Sequence, residues 1–109
     1  MGIQNDAGEI LNFFYKEYLD NRNVDAHKLL TETGWEGNRL DRTIKYLKDL
    51  NLVKLQLYMG NQSGLQNFSF IGLTPEGIQT VENKTKFKNT FGILINAGIF
   101  KFSWQKSEK

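Results

Sequence analysis

Leu29-Leu30-Thr31-Glu32-Thr33-Gly34-Trp35 is the stretch on which the fold turns. It closes one helical pattern and, after a very short gap, admits another. Thr33-Gly34 ends the first, because glycine takes the left-handed conformation that terminates helices at little steric cost. Upstream, Asp25 is a good N-cap, and Val24 and Leu29 occupy the two positions of a hydrophobic staple around it. Downstream, Leu40, Ile44, Leu47 and Leu50 recur at helical spacing, which predicts a helix from about Gly37 to Asn51 with those four inward. Trp35 and Leu40 form a second staple if Glu36 caps that helix, although glutamate caps poorly. Two helices joined by so tight a turn are a candidate helix-turn-helix.

The pattern continues on both sides. From Asp6 to Asn21, Ile10, Leu11, Phe14, Tyr18 and Leu19 make one apolar stripe, with Asp6 and Glu9 placed as a variant capping box. After the candidate helix pair, Val53, Leu55, Leu57 and Met59 alternate with Lys54, Gln56 and Tyr58, the period of a strand with one buried face. A tip containing Gly60 and Gly64 leads to a second strand at about Asn67 to Leu73, so the two form a hairpin. On this strand Ile71 and Leu73 are expected inward and Phe68 and Phe70 outward. Leu73-Thr74-Pro75-Glu76-Gly77-Ile78 then opens another helix, running to about Asn83. Thr74 is its cap, proline stands at its first position, and glutamate faces the positive end of its dipole.

Composition narrows the function. With 109 residues, 39% hydrophobic and 24% charged, the chain suits one soluble domain. There is no cysteine and one histidine, His27, so thiol chemistry is excluded and a zinc site lacks ligands. The N-terminus does not read as a secretory signal, and no stretch is long enough to span a membrane. A cytoplasmic location is the expectation. No nucleophile, base and orienting group come together in the pattern, the glycines near Gly60 lack phosphate-loop spacing, and neither an enzyme nor a cofactor is expected. Net charge is +2 but uneven: residues 1–81 carry eight basic and ten acidic side chains, residues 82–109 six and two.

Over roughly residues 5–83 the chain resembles winged-helix transcription regulators of the small bacterial and archaeal type. The stretches that carry the resemblance are Leu29 to Trp35, Leu40 to Val53, and Leu73-Thr74-Pro75-Glu76-Gly77. It implies an α+β winged helix-turn-helix: a three-helix core, a β-hairpin wing and a fourth helix. It also implies double-stranded DNA as partner, with helix 37–50 as recognition helix in the major groove. On that helix Asn38, Arg39 and Arg42 are expected at bases, and Lys45, Lys48 and Lys54 at phosphates. The segment 37–54 holds five basic and two acidic side chains inside an otherwise acidic domain. The wing tip departs from the family pattern in having no Arg or Lys. A winged helix used as a protein-interaction module, without DNA, is the alternative.

Residues 84–109 are read as a basic linker followed by an apolar hairpin. Asn96-Ala97-Gly98 turns the chain, and Phe91, Ile93, Ile95, Phe100, Phe102 and Trp104 fall on one face. Six large apolar groups need cover. The covers considered are the chain's own domain, a second copy in a homodimer, and, less favoured, a membrane surface.

Overall fold

The structure, a computed structural model, describes residues 2–58 and 67–93. Its order is α1 (Ile3–Leu19), β1 (Val24–Asp25), α2 (Ala26–Thr33), α3 (Gly37–Asp49), β2 (Val53–Tyr58), β3 (Asn67–Leu73), α4 (Pro75–Glu82) and α5 (Lys84–Phe91). The class is α+β. Among the described residues, five helices accompany one antiparallel three-stranded sheet of order β1-β3-β2.

Local chemistry accounts for most boundaries. The Asp25 carboxylate accepts the Lys28 N–H at 2.8 Å and opens α2, while Gly34 closes it at φ 70°. Thr74 Oγ1 accepts the Gly77 N–H at 2.9 Å and opens α4. Both α1 and α3 end on asparagines in the left-handed region, Asn21 at φ 58° and Asn51 at φ 62°. Past each, the chain donates back to the helix: Arg22 N–H to Glu17 O at 2.9 Å, and Leu52 N–H to Leu47 O at 3.3 Å. These are Schellman closures with Asn in place of Gly.

The middle of α1 runs through the core, with every residue from Asp6 to Phe14 buried. Ala7, Ile10, Leu11 and Phe14 are fully buried, and the Phe14 ring stacks on Phe70 with centroids 4.3 Å apart. Leu29 of α2, with Leu40, Ile44 and Leu47 of α3, closes the same cluster. Several expectations change here. The first helix starts three residues before Asp6, which makes no capping bond; Gly2 is the N-cap. Tyr18, Leu19 and Leu50 lie at helix ends and are exposed. The two-residue β1, too short to show a period, pairs Val24 with Phe70.

The largest change is on β3. In an unbroken strand Phe68 and Phe70 would share one face and Ile71 and Leu73 the other. Instead Leu55 pairs with Phe70 and Lys54 with Gly72, leaving Ile71 as an extra residue. The bulge switches faces. Phe68, Phe70 and Leu73 all point into the core, and Ile71 is 61% exposed. No second layer over outward phenylalanines is needed.

The basic linker expected after Asn83 is a helix. The Asn83 side chain accepts the Lys86 N–H at 3.0 Å, and Gly92 ends α5 at φ 73°. Phe87 and Phe91 are buried, and Phe91 lies against Gly8 of α1. Asn5 also donates to the Phe91 carbonyl at 2.8 Å. Phe91 is therefore core in a helix and not a hairpin residue, and the domain runs past residue 83. Ile93 packs partly against the core. The remaining members of the expected hairpin, Ile95, Phe100, Phe102 and Trp104, lie outside the described residues, as do residues 59–66 between β2 and β3.

Glu17 anchors the far end of α1. Its carboxylate is 3% exposed and meets Lys28 at 2.7 Å, Lys16 at 3.3 Å and Arg22 at 3.8 Å. Burial pushes its pKa up, but the hydrogen bonds and charges of Lys28 and Lys16 outweigh burial and hold it below the ordinary 4.5. A depressed carboxylate pKa stabilises the fold above the unfolded value, and that contribution fades as pH falls through the folded one. The stability gap between the wild type and Glu17→Gln, measured by urea unfolding, is therefore expected to be full at pH 7 and to close below about pH 4.5. A gap that widens in acid would contradict this cluster.

Candidate nucleic-acid interface

Helix α3 buries Leu40, Thr43, Ile44 and Leu47 and turns its other side outward. At about 100° per residue, Asn38, Arg42, Lys45 and Asp49 make one stripe opposite that buried face. All four are exposed, as are Lys48 beside the stripe and Lys54 at the start of β2. Arg42, Lys48 and Lys54 make no ion pair among the described residues. Lys45 meets Asp41 at 3.3 Å, one turn away, with its side chain 69% exposed. Such an exposed pair is worth well under about 1 kcal/mol and leaves Lys45 free to exchange partners.

Arg39 departs from the expected set. Its Nε and Nη2 donate to the two Asp6 oxygens at 2.9 Å each, and its guanidinium lies 3.9 Å over the Trp35 ring. Asp6 is 5% exposed. Hydrogen bonding to Asp6 raises the Arg39 pKa against the opposing effect of burial, so the group stays charged. An arginine held by two hydrogen bonds and a ring face does not swing out to a base edge. Asn38 and Arg42 stay on the exposed stripe; Arg39 ties the first half of α3 to α1.

The other end of α3 is also fixed. Thr74 donates its hydroxyl to Asn51 O at 2.7 Å and its backbone N–H to Leu52 O at 3.2 Å. Gly77 sits so close behind that a Cβ there would stand 2.1 Å from Leu52 O. On the opposite flank, Tyr15 donates to Glu82 at 2.7 Å, linking α1 to α4 and pushing the phenol up to about 12. The exposed stripe thus rides on a helix pinned at both ends. Sequence reasoning missed both pins. Asp6 and Arg39 are 33 residues apart, and neither residue type announces a partner at that distance.

Among the described residues no group of three acidic, His or Cys side chains forms a metal cluster, and no helix is long and apolar enough to cross a membrane. No family model, curated protein or solved structure matches the chain.

Proposed function

We propose that this is a DNA-binding domain of winged-helix type, acting in transcription regulation, which lays α3 in the major groove. The observation that carries the reading is the exposed stripe Asn38-Arg42-Lys45 on a helix fixed at both ends, flanked by Lys48 and Lys54. The element order supports it: helix, short strand, two helices across a tight turn, then a hairpin that completes the sheet. Arg42 presents a two-pronged donor suited to guanine, Asn38 a donor–acceptor pair suited to adenine, and Lys45, Lys48 and Lys54 reach phosphates. A helix about 10–12 Å across fits a groove about 12 Å wide.

The test is titration of mixed-sequence duplex DNA across several salt concentrations. Affinity is expected to fall steeply as salt rises, with a slope of about −0.9 per phosphate contact. Arg42→Ala is expected to weaken binding of a selected site by about 1–3 kcal/mol, or roughly 5- to 150-fold. No binding at low salt would end the proposal.

A protein-interaction module is the second reading. What favours it is that carboxylates of the same domain already engage Arg39 and Lys45. Recovery of a stoichiometric protein partner by a chain that ignores duplex DNA would select it. Pairing of two copies on one duplex rests on Ile95, Phe100, Phe102 and Trp104, outside the described residues.

A further inference from the structure

Where the first turns of α1 and α3 meet, Ile3, Asp6, Arg39, Arg42 and Thr43 line an open cleft of about 130 Å³. This is roughly the share of four water molecules at ~30 Å³ each. It falls short of the ~300 Å³ at which small-molecule sites begin, so a base or nucleotide does not fit while one tetrahedral oxyanion does.

The donors in the cleft are guanidinium groups. A guanidinium carries five N–H bonds. Asp6 takes two of those on Arg39, from Nε and Nη2. The other three have no partner among the described residues, and the side chain is 37% exposed. Trp35 covers one face of the group and Asp6 fixes its inner edge, so the outer edge is held in one orientation. Arg42, exposed and three residues on, adds charge at the rim. The Thr43 hydroxyl proton is already given to Arg39 O at 2.9 Å. The lining holds one carboxylate and two guanidiniums, and the Glu9 carboxylate of α1 also acts on Arg39 from outside the lining. The Asp6 carboxylate already accepts from Arg39.

We infer that this cleft is a phosphate site, in which the outer edge of Arg39 grips a single DNA backbone phosphate beside the groove that α3 enters. The inference rests on the DNA-binding reading above and deepens it. Arg39 lies about 100° around α3 from Asn38. A side chain there flanks the base-facing stripe, and the flanks of a helix that fills the groove face the phosphate strands. Asp6 gives up nothing in the process. It aims the guanidinium, and its lock on the inner edge reduces the side-chain entropy that a free arginine loses on binding. Arg39 therefore sets the register of the helix on the duplex and does not read sequence.

The experiment follows the guanidinium ¹H–¹⁵N resonances of the full, labelled chain by NMR, in parallel with backbone amides. One sample is titrated with a mixed-sequence duplex and another with inorganic phosphate. The expected result is that the Arg39 resonances move with duplex, saturating together with the amides of α3, and respond to inorganic phosphate only at concentrations at least 100-fold higher. If duplex moves the α3 amides and leaves Arg39 unchanged, the cleft proposal is overturned while the DNA-binding reading stands. If inorganic phosphate moves Arg39 at or below the duplex concentration, the site serves a free phosphoryl compound and the backbone assignment is wrong. If duplex moves nothing, both readings fall.

Discussion

Phe91→Ala is expected to lower the unfolding free energy by about 3–5 kcal/mol, the usual cost of truncating a fully buried phenylalanine. Phe91 has no exposed surface, tilts against Phe87 at 4.8 Å between ring centroids, and packs against Gly8 so closely that a Cβ there would come within 2.8 Å of the Phe91 Cβ. The cavity opens between α1 and α5, where the backbone on both sides is held by hydrogen bonds from Gln4 and Asn5 to the carbonyls of Thr90 and Phe91. Little collapse can fill it. For a small domain with about 5–15 kcal/mol in total, this is a large fraction. The check is the urea midpoint at constant m-value. A change below about 0.5 kcal/mol, typical of a surface position, would mean that the segment after Asn83 is an appendage and not core.

Gly77→Val is the second change with a large expected effect. Gly77 lies in the first turn of α4, and the atom it approaches is a backbone carbonyl, Leu52 O, which also accepts the Thr74 N–H. A flexible side chain would yield to an added Cβ; a hydrogen-bonded backbone does not. Overpacking costs about 1–3 kcal/mol, and a backbone clash belongs at the upper end. At about 4–8 °C per kcal/mol for a domain of this size, Tm is expected to drop by on the order of 15 °C. Gly2→Ala is the matched control. A Cβ at Gly2 meets nothing within 4 Å, so Tm should hold. Equal melting of both variants would contradict the close approach of α4 to the end of α3.

The order of α1, α2, α3, β2, β3 and α4 was legible in the sequence because most of their boundaries have a local cause, whereas β1 was too short to show a period. Asp25, Gly34, Thr74 and Pro75 act within one turn of their own position, and the structure uses each as its chemistry requires. The faces of β3 were not legible. A bulge reverses the inward side, and whether Ile71 is inserted depends on Lys54 and Leu55 across the ladder. Helix α5 was hidden differently. Lys84, Lys86 and Lys88 mask a pattern of only two apolar anchors, Phe87 and Phe91, and Phe91 also fits the alternation with Ile93 that suggests a strand. The candidate interface divides along the same line. The outward stripe Asn38-Arg42-Lys45 follows from helical period alone. The withdrawal of Arg39 depends on Asp6, which the sequence offered as a helix cap and tertiary packing turned into an ion-pair partner.

Contact between DNA and the outer face of α3 can be read by mapping backbone amide shifts over residues 2–93 as a short duplex is added. The largest changes are expected from Asn38 to Lys54, following the exposed stripe, with α5 unaffected and the effect erased by high salt. Shifts concentrated on α5 or on the Glu17 cluster, with α3 silent, would contradict it.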